Sequence, residues 1–139
     1  MDEDMISAAF LHDVLEESAI TADRIQELFG ARVRELVESV TRSEPAAEET
    51  AGLTEAQIWK LRSETLLGEI RLMSSEAQII KLADRLSNVR AALATRAGKK
   101  LERYLDQTRE ILVIIPEKTN PALHKAVRKA AGLKRSDLT

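Results

Sequence analysis

Apolar residues recur at intervals of three and four along almost the whole chain, and no stretch sustains the two-residue alternation of a half-buried strand. The spacing predicts a first helix from about Glu3 to Glu17, with Ala8, Ala9, Phe10, Leu11, Val14 and Leu15 as its buried surface. Thr21 is placed to cap a short helix carrying Ile25, Leu28 and Phe29, and Gly30 breaks it before Val33, Leu36, Val37 and Val40 continue on a third. Residues 43–53, SEPAAEETAGL, hold Pro45, Gly52, three glutamates and little to bury, and read as a surface connection. Thr54 and Gln57 have capping-box spacing and open a helix through Ile58, Leu61, Leu67 and Ile70 to about Met73, with Trp59 as core. Ser75 and Gln78 repeat that spacing ahead of SEAQIIKLADRLSNVRAALA. There Ile79, Ile80, Leu82, Ala83, Leu86, Val89 and Leu93 leave little polar circumference, so this helix is predicted to be central. After Gly98 and Lys99, Leu101, Leu105, Thr108, Leu112 and Ile115 repeat at helical spacing until Pro116. Asn120 and Pro121 signal a last helix with Leu123, Val127 and Ala130, ending at Gly132, and the tail LKRSDLT is predicted to fray. About seven helices and no strand predict an all-α fold, with residues 1–139 as one domain.

Composition narrows the function. At 139 residues and 44% hydrophobic content the chain can bury a single core. Lys and Arg number 21 against 23 Asp and Glu, a net charge of −2 that argues against general nucleic-acid binding and leaves any anionic ligand to local basic groups. The absence of cysteine excludes disulfides and thiolate metal sites. No uncharged apolar run approaches the ~18 residues of a membrane span, and MDEDMISAAF is acidic where a signal peptide is basic; a soluble, cytoplasmic protein without membrane association is expected.

The chemistry concentrates in AAFLHDVLEES, residues 8–18, where His12, Asp13, Glu16 and Glu17 interrupt an apolar helix. Charges there need partners, and imidazole nitrogen with carboxylate oxygen is a ligand set for a borderline or hard divalent ion. Glu16 follows His12 by one helical turn, in reach of a water on the same ion. The plain alternative is a surface or capping pair. A second polar group, Lys81, Asp84, Arg85 and Asn88, forms one stripe on the otherwise apolar central helix. It reads either as a solvated face with an Asp84–Asn88 hydrogen bond, or as Asp84 pointing into the cavity of His12 and Asp13. Tyr104 is either core or a ring offered to a ligand.

Taken together, AAFLHDVLEES, the FG of QELFGARVRELVESVTR, IIKLADRLSNVR and RYLDQTREIL resemble the HD-domain hydrolases of the RelA/SpoT type, and most closely the small stand-alone alarmone hydrolases of Mesh type. KLADRLSN is the most specific block, and the similarity runs in order along nearly the whole chain. The resemblance implies an HD-domain helical fold and one divalent ion, typically manganese. It implies removal of pyrophosphate from the 3′ position of guanosine tetra- or pentaphosphate. On this chain His12, Asp13 and Asp84 match the metal ligands, and Glu16 and Glu17 match the acidic pair that orients or activates water. Lys81, Arg85, Asn88 and Tyr104 match positions lining the nucleotide site.

The chain departs from the pattern at one point. The family's first metal histidine precedes the His-Asp doublet on an earlier segment, whereas only eleven residues stand ahead of His12 here. The fold is therefore expected to be incomplete at its amino terminus. His124, the one other histidine, matches no family ligand. Met5, Ile6, Phe10, Leu11, Ile79, Leu82 and Leu86 are expected to leave an apolar face uncovered, through which copies self-associate. Two alternatives to the hydrolase stay open: an inactive HD-fold module binding a nucleotide or a partner chain, and an HD phosphatase for another nucleotide such as NADPH or a deoxynucleotide.

Overall fold

The computed structural model describes residues 2–17, 21–41 and 45–139, the side chains of residues 13–17 excepted. Among the described residues there are eight α-helices and no strand: α1 (Glu3–Glu17), α2 (Ala22–Phe29), α3 (Ala31–Val40), α4 (Ala47–Thr50), α5 (Glu55–Leu72), α6 (Ser75–Thr95), α7 (Gly98–Ile114) and α8 (Pro121–Ala130). Short 3₁₀ turns follow at Glu117–Thr119 and Arg135–Leu138. The seven helices read from periodicity are all present. The eighth, α4, is a single turn inside the stretch predicted as a connection, and it buries nothing.

Local signals account for most boundaries. Thr21 Oγ1 accepts from the Arg24 amide at the start of α2, and Thr54 with Gln57 forms the capping box expected for α5. The cap of α6 is one residue earlier than predicted: Ser74, not Ser75, accepts from the Ala77 amide. Gln78 instead donates to the Ile70 carbonyl at 3.1 Å, joining the Met73 amide on that oxygen at the end of α5. Gly132 (φ +72°) ends α8 in the left-handed region. The Leu133 and Gly132 amides bond back to the Arg128 and Lys129 carbonyls there, the paired arrangement that glycine permits at low cost.

α6 organises the interior, because it supplies residues to all three apolar clusters. Ala77 and Ile80 join Met5, Ala8, Leu11, Ile25, Val33 and Val37 of α1–α3. Leu82 joins Leu67, Ile70, Ile111, Ile115 and Val127. Val89 and Ala92 pack with Tyr104, and Trp59 lies against that cluster as partly buried core.

Three expectations are corrected. Met5, Leu11 and Leu82 are buried within this chain, so only part of the predicted apolar face is open; Ile6 and Phe10, at 56% and 74% exposure, are its outward members. Phe10 and Leu93 do not belong to the core, since each stands on the outer side of a helix whose apolar residues continue around its circumference. The tail does not fray: Leu133 and Leu138 pack on the second cluster, and Arg135 pairs with Glu117 at 2.7 Å. Val14 and Leu15 lie outside the described side chains.

Candidate metal centre

α1 and α6 pack side by side, and each turns one ligating group toward the other. His12 is buried, at 4% exposure. Its Nδ1 lies 2.6 Å from the Ala9 carbonyl oxygen, three residues back on the same helix. A carbonyl accepts only, so Nδ1 carries the proton and donates it. The other ring nitrogen, Nε2, faces Asp84 Oδ1 at 3.4 Å. A neutral imidazole has a single N–H, and with that proton on Nδ1 two lone-pair atoms face one another. Such a contact calls for a cation between them, either a second proton or a metal ion. The separation exceeds the ~2.7–3.2 Å of an N–H···O bond. Two atoms that each ligate one ion at about 2.1 Å lie roughly 3.0–3.4 Å apart, depending on the angle at the ion, so both would be within reach of a shared ion. The pair therefore fits a divalent ion in distance and in donor chemistry, and Ala9 supplies the outer hydrogen bond that orients a ligating imidazole.

Asp84 is held as the anion. Burial alone pushes its carboxyl up, but the His12 ring when it carries both protons, together with Lys81 and Arg85, more than offsets this and leaves it below the ordinary value. Lys81 is buried, with Nζ 3.7 Å from Asp84 Oδ2. The exposed Asn88 donates to that same oxygen at 3.2 Å. One carboxylate thus offers Oδ1 to His12 and Oδ2 to two donors on its own helix. The stripe is not a uniformly solvated face, although the Asp84–Asn88 hydrogen bond of the plainer reading is present.

His12, Lys81, Asp84 and Asn88 are brought together. Arg85 and Tyr104 are drawn instead into the seam between α6 and α7. Arg85 Nε donates to Thr108 Oγ1 at 3.0 Å and Nη2 to the Tyr104 carbonyl at 3.1 Å. Its guanidinium lies 3.9 Å from the Tyr104 ring centroid. Burial pushes that guanidinium down to about 10. The exposed Arg96 also covers the ring, at 4.5 Å; nothing in the sequence singled it out. His124 is not near the pair: it is buried, its Nε2 donating to the Leu112 carbonyl at 2.8 Å near the end of α7. Asp13, Glu16 and Glu17 lie outside the described side chains. Among the described residues no three His, Cys, Asp or Glu gather in one place; His12 and Asp84 are two of the three expected ligands, and the side chain of the third, Asp13, is not described. A groove of about 890 Å³ between α3 and the α5–α6 junction, lined by Arg32, Glu35, Leu72 and Glu76 among others, includes none of these residues.

Residues 1–113 match the HD domain, in agreement with the all-helical fold. The chain belongs to the HD-domain family. Within it, the chain is 34% identical over 110 residues to a probable guanosine-3′,5′-bis(diphosphate) 3′-pyrophosphohydrolase of Synechocystis, covering 79% of this chain and 14% of that protein. It is 36% identical over 122 residues to the guanosine-3′,5′-bis(diphosphate) 3′-pyrophosphohydrolase of Spiroplasma citri, covering 88% of this chain and 15% of that one. The chain thus spans about a seventh of the length of these relatives. A crystal structure from Listeria monocytogenes EGD-e superposes with a TM-score of 0.72 at 18% identity, over 100% of this chain and 87% of that one, and shows the same fold. No helix among the described residues is long and apolar enough to cross a membrane.

Proposed function

We propose that the chain carries a divalent-metal-dependent phosphohydrolase site for a nucleotide, with the 3′-pyrophosphate ester of guanosine tetra- or pentaphosphate as substrate. The observation that carries the reading is the approach of His12 Nε2 to Asp84 Oδ1, 3.4 Å apart on two different helices of an HD-family chain. The names of the curated relatives support the substrate.

In this reading His12, Asp13 and Asp84 hold one ion, manganese by proposal. When bound, the ion supplies the Lewis acidity that makes water nucleophilic near neutral pH and offsets phosphoryl charge. His12 is presented in a single tautomer, because the Ala9 carbonyl fixes the proton on Nδ1. Asp84 enters as the anion, its orientation set by Lys81 and Asn88. Glu16 and Glu17 are proposed to orient the attacking water and accept its proton. Lys81 and Asn88, next to Asp84, are the groups proposed to meet a phosphate oxygen and a nucleotide polar edge. Water attacks the phosphorus bonded to the 3′ oxygen, the 3′ O–P bond breaks, and the proton taken from the water passes to the departing oxygen, leaving a 3′-hydroxyl nucleotide and pyrophosphate.

The test is turnover of guanosine tetraphosphate by metal-free protein, before and after Mn²⁺ is returned. Pyrophosphate released only with Mn²⁺ supports the reading. Release that a chelator does not affect contradicts the metal dependence. Failure to turn over this substrate, together with Mn²⁺-dependent hydrolysis of another nucleotide, contradicts the substrate.

A further inference from the structure

Far from the metal centre, one exposed arginine joins the starts of three helices. Arg32, in the first turn of α3, donates through Nη2 to Asp2 Oδ2 and through Nη1 to Asp4 Oδ2, both at 2.9 Å, and Nη2 also reaches Glu76 Oε2. Asp2 uses its other oxygen to cap α1, accepting from the Met5 amide at 2.9 Å. Asp4 and Glu76 stand in the first turns of α1 and α6, where carboxylates offset the positive helix ends. The three acceptors hold the Arg32 guanidinium well above its ordinary value, Asp2 contributing most.

The positions of these contacts set a register. His12 follows Asp4 by eight residues, and Asp84 follows Glu76 by eight. Each interval is about 12 Å of helix. Since Asp4 and Glu76 meet at Arg32 and His12 meets Asp84, α1 and α6 run in the same direction with equal advance between two cross-links. A slip of one residue moves a ligand about 1.5 Å along its axis, enough to separate two atoms that must share one ion.

We infer that Arg32 is a positioning residue: by clamping the starts of α1 and α6 together it sets the axial register in which His12 and Asp84 meet. The metal part of this inference rests on the function proposed above; the register part does not. Exposed ion pairs contribute little to global stability, so the effect falls on helix placement and ion affinity while helical content stays unchanged.

The chain has no cysteine, so cysteines placed at the exposed Phe10 of α1 and Leu93 of α6 accept one pair of spin labels. Dipolar spectroscopy then measures the distance between the helices, and titration with Mn²⁺ measures ion affinity in the unlabelled protein. Arg32→Ala is expected to shift or broaden the distance distribution and to weaken Mn²⁺ binding severalfold. Arg32→Lys, which keeps the charge but loses the fork, is expected to fall between; it decides by the same readouts if Arg32→Ala loses helical content. Arg34→Ala is the control. It removes contacts to Asp23, Gln26 and Glu38, none of them on α1 or α6, and should leave both readouts unchanged. A wild-type distribution in Arg32→Ala, or an equal change in Arg34→Ala, overturns the register role. A shifted distribution with unchanged Mn²⁺ affinity overturns the link to the site. If wild-type protein takes up no Mn²⁺, it is the metal reading of His12 and Asp84 that fails, and the distance measurement alone decides the register role.

Discussion

Replacing Arg85 tests whether volume or charge holds the seam between α6 and α7. Burial lowers its guanidinium from the ordinary arginine range to about 10, which disfavours the charged form by about 3 kcal/mol. Against this stand two hydrogen bonds to α7 and the Tyr104 ring, together worth a few kcal/mol on general grounds. The terms nearly cancel, and removing the guanidinium leaves no orphan at the Tyr104 carbonyl, which still accepts the Thr108 hydroxyl at 2.9 Å. Arg85→Met, which fills most of the space, is therefore expected to change stability by less than about 1 kcal/mol. Arg85→Ala opens a cavity in a buried seam and should cost about 2–4 kcal/mol. In thermal unfolding followed by circular dichroism this is a fall of roughly 10 °C in Tm for Ala and less than about 4 °C for Met. Equal losses for the two variants would refute the reasoning, because they would show that the polar contacts, not the filled volume, hold the seam.

His124→Ala should cost about 2–4 kcal/mol by emptying a buried position and releasing the Leu112 carbonyl; divalent-ion content should not change, and a lost ion would put His124 in the metal site. Phe10→Ser, on the exposed side of α1, should move stability by less than about 0.5 kcal/mol, and a loss of 2 kcal/mol or more in denaturant would place this ring in a core. Glu16→Gln preserves size and should leave helical content and bound ion in place while lowering turnover by about a hundredfold; undiminished turnover removes Glu16 from the mechanism.

Helical spacing made the elements legible because a period near 3.6 leaves a mark in sequence wherever one face is buried, and the limits of α1 and the Thr54 cap of α5 were read from residues alone. Facing was less legible. On α1 the apolar residues continue around the helix, so periodicity cannot tell buried Leu11 from exposed Phe10. Two adjacent serines offer the same cap, and only the backbone shows that Ser74 is used. The polar stripe of α6 was visible, but not its division, with Asp84 turned to His12 and Arg85 turned to Thr108 and the Tyr104 carbonyl, since that depends on which neighbour packs on each side. The His12–Asp84 pair was anticipated from two ionisable groups set in apolar helices and from the family blocks around them. The Ala9 carbonyl that fixes the imidazole carries no mark beyond its position three residues before His12.

The most direct measurement is divalent-ion binding by wild type and Asp84→Ala, followed by Mn²⁺ titration of metal-free protein at neutral pH. Wild type is expected to bind one Mn²⁺, and Asp84→Ala, which removes the carboxylate facing His12 Nε2, to lose that binding while keeping its helical content. Equal Mn²⁺ binding by both proteins would contradict a metal centre between α1 and α6.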